Sequence, residues 1–90
     1  MRERLRDEAA REGPFTTITA ISRVATTVTV TATAHGLRVG DIAIVAGVQH
    51  ASVDFNGDWA VATVADANTF TYTHTGNGAA TGSGGTVAAL

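Results

Sequence analysis

The segment TTVTVTATA, residues 26–34, decides the fold because apolar residues and threonines alternate along it. Successive side chains of a β-strand point to opposite faces of a sheet, so this period of two places Val28, Val30 and Ala32 on one face. The intervening threonines form the other face. The pattern therefore predicts a strand that is buried on one side and solvated on the other.

Shorter runs of the same kind lie on both sides of this segment. No helical pattern separates them, which is typical of an antiparallel sheet that curls into a barrel or sandwich. We predict one all-β domain over residues 14–90, an antiparallel six-stranded barrel or sandwich. Its other five strands are FTTITAIS at 15–22, DIAIVAGV at 41–48, DWAVATVA at 58–65, TFTYTH at 69–74 and GTVAAL at 85–90. The glycine-rich run GNGAATGSGG, residues 76–85, is predicted to be a mobile hairpin loop.

The run AHGLRVGD, residues 34–41, is predicted to be a structural turn. Gly36 tolerates a positive φ, and Gly40 precedes the next strand. We expect His35 to cap a free carbonyl and Asp41 to accept backbone N–H groups. Leu37 and Val39 are expected to fold back over the open end of the barrel.

Two further turns are predicted from residue type. Asn56-Gly57 suits a tight turn, since both residues tolerate positive φ. Ser22-Arg23 together with Ala25-Thr26 is predicted to end the first strand.

Composition changes at Gly13-Pro14, which separates a charged segment from the β domain. RERLRDEAARE contains strong helix formers and ends at residues that stop helices, so residues 1–13 are predicted to be a short N-terminal helical arm. Its apolar stripe is thin, consisting of Met1, Leu5 and Ala9. Two readings stay open: a solvated terminus, or an arm that becomes ordered on a partner.

Length and charge exclude several classes of protein. Ninety residues without cysteine predict one small domain that is held by packing and strand pairing, without disulfides or thiolate-bound metal. A net charge of −2 gives no field for a polyanion, so no nucleic-acid partner is expected. No apolar run approaches the roughly 20 residues that span a bilayer, so we expect a soluble chain without a membrane partner.

The candidate sites for chemistry are weak. DFNGD, residues 54–58, has the start of a calcium loop, but Trp59 and Ala65 stand where an EF-hand needs glycine and glutamate. His35, His50 and His74 match no zinc spacing. No nucleophile elbow and no paired acid and base accompany the carboxylates Asp54, Asp58 and Asp66, so no enzyme activity, metal or cofactor is expected. Trp59, Phe70 and Tyr72 are expected to pack in the core and across strands.

The order of motifs resembles a small β module that occurs in tail and other virion proteins of tailed bacteriophages. The resemblance rests on ISRVATTVTVTATAHGLRVGD, VAGV, DFNGDWAVATVADANTFTYT and the final GGTV, and it covers about residues 17–88. Its distinguishing features are the His-Gly-Leu-x-x-Gly-Asp turn, the Phe-Asn-Gly turn and the Thr-Phe-Thr-Tyr strand.

This resemblance implies a non-enzymatic structural virion protein. Within that class we expect a capsid decoration protein that stabilises the head in many copies, or alternatively a neck, collar or tail-associated protein. The expected partners are other virion proteins, such as the major capsid protein, or further copies of the chain. A host-surface glycan-binding module is the competing class. The residues expected to make contacts are Arg2, Arg4, Leu5, Arg6, Ala9, Arg11, Val87 and Leu90, in the arm and at the strand edges.

Overall fold

Eight antiparallel strands and no helix form the part of the chain that the computed structural model describes, residues 15–90. The strands are β1 (Thr16–Thr17), β2 (Ala20–Val24), β3 (Thr27–Thr31), β4 (Ile42–Ala46), β5 (Gly57–Asp66), β6 (Thr69–Thr73), β7 (Ala80–Gly82) and β8 (Thr86–Ala89). Their order across the sheet is β1-β8-β4-β5-β6-β3-β2-β7, and the sheet curls into a half-barrel. The all-β, antiparallel prediction is confirmed. The arm predicted at residues 1–13 lies outside the described residues.

The predicted count of six strands is wrong because the first predicted strand is interrupted and a further strand forms within the predicted glycine-rich loop. A break at residues 18–19 divides β1 from β2. Gly84 and Gly85, with φ of +72° and +92°, divide β7 from β8, so β7 lies inside the stretch that was expected to be a mobile loop. The two segments at the start of the domain run beside the two at its end, since β2 pairs with β7 and β1 with β8. The N–H of Ile18 donates to Gly85 O at 3.0 Å beside the break.

The turn predicted at Ser22-Arg23 is also wrong, since both residues lie within β2. The reversal is made by Ala25 and Thr26 alone, and Ala25 takes a φ of +53°. A two-residue connection closes the β2–β3 hairpin because Val24 is already opposite Thr27. Arg23 is thereby placed in a strand rather than on a surface loop.

The core lies on the face that the alternating segment predicted. Val28 is opposite Tyr72 and Val30 is opposite Phe70 in the β3–β6 pair, and all four side chains are fully buried. Thr29, between the two valines, is exposed. Burial of these apolar side chains is the main contribution to stability in a domain of this size.

Loops gather at two opposite ends of the strands, as β6 illustrates. The turn that precedes β6 meets residues 32–41 through a hydrogen bond from His35 N–H to Ala67 O, and residues 32–41 and 66–68 form what we call the His35 end. Beyond the other end of β6, His74 N–H donates to Thr26 O at 2.7 Å. The hairpin residues 25–26 and the loops 48–56 and 74–78 form the His74 end.

Candidate functional site

A buried arginine lies at the His74 end. Arg23 lies two positions after Ile21 on the same face of β2, and both side chains are buried, at 7% and 1% exposure. Nε of Arg23 donates to Gly78 O at 2.8 Å, and its Nη1 donates to His74 Nδ1 at 2.9 Å. A buried cation requires hydrogen-bond partners to offset the loss of its hydration. Arg23 therefore holds the 74–78 loop against β2.

His74 joins three segments of the chain. Its Nδ1 accepts from Gly76 N–H at 2.8 Å as well as from Arg23, and its Nε2 lies 2.7 Å from Asp54 O. Two donors facing Nδ1 and a carbonyl facing Nε2 assign the neutral tautomer with the proton on Nε2. His74 is buried at 8% exposure. The imidazole thus connects β2, the 74–78 loop and the 48–56 loop.

Aromatic rings pack against this network. The ring of Trp59 stacks on Tyr72 at 4.7 Å and on His74 at 5.2 Å between centroids. The Trp59 indole N–H and the Tyr72 hydroxyl both donate to Phe55 O, at 3.0 and 2.8 Å. The polar atoms of both rings are therefore used to fix the 48–56 loop, as expected for aromatic side chains with a polar group in a core.

Burial raises the pKa of the Tyr72 phenol well above its usual range. Loss of hydration is the largest cause, because the phenolate would be charged in an apolar environment. The negative charge of Asp54 raises the pKa further, and the positive charge of Arg23 opposes both effects. The phenol is held in its neutral, hydrogen-bond-donating form.

His50 shapes the neighbouring loop. Its Nδ1 accepts from the N–H groups of Ser52 and Val53 at 3.1 and 2.9 Å, and its ring meets the edge of Phe55 at 5.9 Å between centroids. Beside it is an open depression of about 420 Å³. Its lining is Val48, Gln49, His50, Ala51, Ser52, Val53, Asp54 and Asn56. The depression is shallow, and no cluster of ionisable groups converges on it.

The predicted Asn56-Gly57 turn is the end of the same loop. The Asn56 side chain bonds Val48 twice, accepting from its N–H at 2.9 Å and donating to its carbonyl at 3.1 Å. Gly57 takes a φ of +136° and begins β5. Asn56 thereby closes the 48–56 loop in the way that a backbone pair would.

At the His35 end, polar side chains also bond the backbone. His35 Nδ1 accepts from Leu37 N–H at 2.9 Å, and its Nε2 lies 3.2 Å from Asp66 O. Asp41 accepts from Arg38 N–H at 2.9 Å through Oδ2. Leu37 is buried at 5% exposure whereas Val39 is 65% exposed, so the expected packing over the barrel end is made by Leu37 and not by Val39.

The two glycines of this turn adopt backbone conformations that favour glycine. Gly36 and Gly40 have φ of +70° and +92°, where side chains with a Cβ are strained. Neither glycine has another atom within 4 Å of the position that a Cβ would take. Backbone conformation rather than space explains glycine at these two positions.

The carboxylates considered for chemistry are spread around the molecule. Asp54 and Asp66 accept the N–H groups of Asn56 and Asn68, two residues further on, as in ordinary Asx turns. Asp58 is exposed on β5. Within residues 15–90, no three His, Cys, Asp or Glu residues converge to hold a metal ion.

The residues expected to make contacts are placed differently from one another. Leu90 is 43% exposed at the end of β8, whereas Val87 is 2% exposed in the core and offers no contact surface. Val87 faces inward because it lies opposite Val45, whose side chain is in the core. The expected contact residues of the arm lie outside the described part of the chain.

The residue that sequence reasoning missed is Arg23. A signal was present, because Arg23 lies two positions after Ile21 and an extended strand places both on the same face. The predicted turn at Ser22-Arg23 concealed this alternation. The burial of His74 could not be read from its own neighbours, since its partners come from β2 and the 48–56 loop.

Taken together, the fold and its polar clusters define a small all-β domain whose histidines hold loops in place. Both nitrogens of His74 are engaged by other groups of the chain, so the ring has no free position for proton transfer to a ligand. None of residues 15–90 forms a helix that is long and apolar enough to cross a membrane. No family model, curated protein or solved structure matches the chain.

Proposed function

We propose that the chain is a non-enzymatic structural protein of a tailed-bacteriophage virion, acting as a capsid decoration protein. The observation that supports the proposal is how the side chains of the His-Gly-Leu-x-x-Gly-Asp turn are hydrogen-bonded. Its two reactive side chains, His35 and Asp41, bond the backbone of their own turn or of its neighbour. The same residues are part of the resemblance to virion modules. In this proposal their role is to maintain the structure of the turn.

Contact with the shell is assigned to the arm, residues 2–12, and to the exposed end of β8. The outermost strands of the sheet are short, two residues in β1 and three in β7, which limits strand addition from a neighbouring chain. The contact surface therefore relies on side chains, among them Leu90 and the arginines of the arm. Repetition around a symmetric shell would multiply weak contacts of this kind.

The aromatic side chains favour this proposal over glycan recognition. Tryptophan or tyrosine rings exposed at loop tips would favour a sugar-binding surface. Tyr72 is fully buried, and Trp59 stacks on Tyr72 and His74. A neck, collar or tail position remains the alternative within the virion, because the same module would serve there with fewer copies.

Binding to particles tests the proposal. The purified chain is incubated with DNA-filled heads, empty shells and isolated tails of a candidate tailed phage, and bound copies are counted after sedimentation. Binding to heads in numbers that match the shell subunits or their junctions would support decoration, and a few copies per particle would place the chain at the neck or tail. Binding to none of these particles, with retention on host cell-wall glycans instead, would overturn the proposal.

A matched pair of variants locates the contact. We expect Arg4→Glu combined with Arg6→Glu to lower the number of bound copies at least ten-fold. Arg38→Glu, in the exposed turn of the His35 end, serves as the control and is expected to bind like the natural chain. Equal loss in the two proteins would contradict the role given to the arm.

A further inference from the structure

The guanidinium of Arg23 is a buried cation, and its hydrogen bonds within residues 15–90 go to neutral groups. Nε donates to Gly78 O, a carbonyl, and Nη1 donates to Nδ1 of the neutral His74 ring. No carboxylate of the described residues is hydrogen-bonded to it. Because Arg23 is only 7% exposed, little water is left to hydrate the charge. A buried charge is costly unless it is paired, so this site favours an anion beside Arg23.

One nitrogen of the guanidinium is left without a partner in the described part of the chain. A guanidinium carries five N–H donors, and two of them are on Nη2. Among residues 15–90, Nη2 of Arg23 makes no hydrogen bond. Buried donors that stay unbonded cost free energy, whereas an acceptor brought to them recovers it. Nη2 is therefore the atom at which a ligand would gain most.

The 74–78 loop is closed over Nη1 of Arg23 and open over Nη2. A Cβ on Gly76 would lie 2.5 Å from Nη1, so the backbone covers this nitrogen closely. A Cβ on Gly78 would lie 3.9 Å from Nη2 and would meet no other heavy atom of residues 15–76 or 80–90 within 4 Å. Asn77, between the two glycines, is exposed. Space for a small group therefore lies beside Gly78, next to the unbonded nitrogen.

We propose that Nη2 of Arg23 binds the carboxylate of a ligand in the space beside Gly78. The planar guanidinium matches a carboxylate in shape, and a charge-assisted hydrogen bond is about twice as strong as a neutral one. The Asp54 carboxylate lies at the same end, where its Oδ1 accepts from Asn56 N–H and its charge acts on the Tyr72 phenol, as does that of Arg23. A singly charged ligand is therefore favoured over a doubly charged phosphate, which Asp54 would repel more strongly.

The ligand would add to the existing contacts of Arg23 without replacing them. Nε and Nη1 keep their bonds to Gly78 O and His74 Nδ1, and only the unused donors of Nη2 are taken. The carboxylate belongs either to a small molecule or to an acidic side chain of another protein. This inference does not depend on the proposed virion role, because its test uses the isolated chain.

A titration with acetate tests the site in the natural full chain. The Nε–H signal of Arg23 and the amide signals of Gly76 and Gly78 are followed by NMR while sodium acetate replaces sodium chloride at constant pH and ionic strength. We expect saturable shifts at least three-fold larger than those caused by acetamide, a neutral molecule of the same shape. The amides of Leu37 and Arg38 at the His35 end are the internal control. Equal shifts with acetate and acetamide, or equal shifts at the two ends, would overturn the proposal.

Variants locate the site on the guanidinium. Arg23→Met is expected to reduce the acetate shifts at Gly76 at least three-fold, whereas Arg38→Met, at an exposed arginine, is expected to retain them. Because Arg23→Met also removes the bonds that hold the 74–78 loop, Gly78→Ala is the second variant. Its methyl group fills the space beside Nη2 and is likewise expected to reduce the shifts at least three-fold. Undiminished shifts in Arg23→Met or in Gly78→Ala would contradict the site.

Two ligands distinguish the source of the carboxylate. Acetate represents a small molecule, and a tripeptide with blocked ends and aspartate between two glycines represents an acidic side chain. Saturation by the peptide at ten-fold lower concentration would assign the site to a side chain of another protein, and saturation by acetate alone would assign it to a small molecule. Saturation by neither would overturn the proposal.

Discussion

His35 and His74 have the same local geometry at opposite ends of the half-barrel but differ in their roles. In each residue Nδ1 accepts the N–H of the residue two positions further on, and Nε2 faces a carbonyl of another segment. His35 is partly exposed, whereas His74 is buried and also accepts from the guanidinium of Arg23. A turn-forming histidine thus joins distant segments when a neighbouring strand supplies a buried donor, and we call the hydrogen-bonded pair Arg23 and His74 the clasp.

Removing the two imidazoles is the largest test of this comparison. We expect His74→Ala to lower the free energy of unfolding by about 3 kcal/mol, because it leaves the buried Arg23 donor and Asp54 O without their partner. His35→Ala is expected to cost about 1 kcal/mol, since water can reach its partners. Urea unfolding followed by far-ultraviolet circular dichroism measures both. Equal losses would contradict the difference between the two ends.

Glycine substitutions separate crowding from backbone strain. A Cβ on Gly76 would lie 2.5 Å from Arg23 Nη1 and 3.2 Å from His74 Nδ1, so Gly76→Ala must displace the clasp. We expect a loss of about 2 kcal/mol, as for other insertions into packed sites. Gly36→Ala meets no atom within 4 Å, and its positive φ alone is expected to cost about 1 kcal/mol.

The two losses should also respond differently to a second substitution. In a His74→Ala background, the cost of Gly76→Ala is expected to shrink because Arg23 can then move aside. The cost of Gly36→Ala should stay the same in that background. An unchanged cost at Gly76 would show that the clasp is not what the added methyl group disturbs.

Alkaline pH is expected to weaken the His74 end through Tyr72. The phenol pKa is raised in the folded chain, so above about pH 10 the unfolded chain loses this proton while the folded chain retains it. The folded state then binds more protons, and stability falls as pH rises through this range; below it the contribution is fully present. The chain has one tyrosine, no lysine and no cysteine, so no other side chain is expected to titrate near pH 10.

Tyr72→Phe isolates that effect. At neutral pH we expect a loss of about 1 kcal/mol for the hydrogen bond to Phe55 O, which still accepts from Trp59. Between pH 9 and about pH 11.5 the urea midpoint of the natural chain is expected to fall, whereas that of the variant stays level. A parallel fall in both proteins would exclude the phenol as the cause.

The smallest effect is expected at Val39. Its side chain is 65% exposed, so Val39→Ser is expected to change the free energy of unfolding by less than about 0.5 kcal/mol. Leu37 in the same turn is buried, and Leu37→Ala is the matched control, with an expected loss of about 2 kcal/mol. Similar values for the two variants would mean that burial of Leu37 does not stabilise this end of the half-barrel.

The strand pattern could be predicted from sequence because it is local. The alternation around Val28 and Val30 needs no knowledge of distant residues, and the structure pairs both with buried aromatic rings. Strand β7 was missed because the glycine-rich run that contains it is also typical of a mobile loop. Sequence alone therefore identified the sheet, but neither the break that separates β1 from β2 nor the additional strand β7.

The clasp was harder to predict because its parts are far apart in the chain. Arg23 and His74 are 51 residues apart, and no local pattern pairs them. The spacing of Ile21 and Arg23 places the arginine on the core face of β2. Its hydrogen-bond partner His74, however, depends on how β2 and β6 are placed on either side of β3. A polar residue on the core face of a strand is the signal to look for in similar sequences.

Amide hydrogen exchange in Arg23→Met is the most direct test of the claim that a buried arginine and histidine fasten the loops at one end. The side chain retains much of its apolar volume but donates to neither His74 nor Gly78. We expect the amides of Gly76 and Gly78 to exchange at least ten-fold faster than in the natural chain, while those of Leu37 and Arg38 at the His35 end keep their rates. Unchanged exchange at Gly76 and Gly78, or equal acceleration at both ends, would contradict the account.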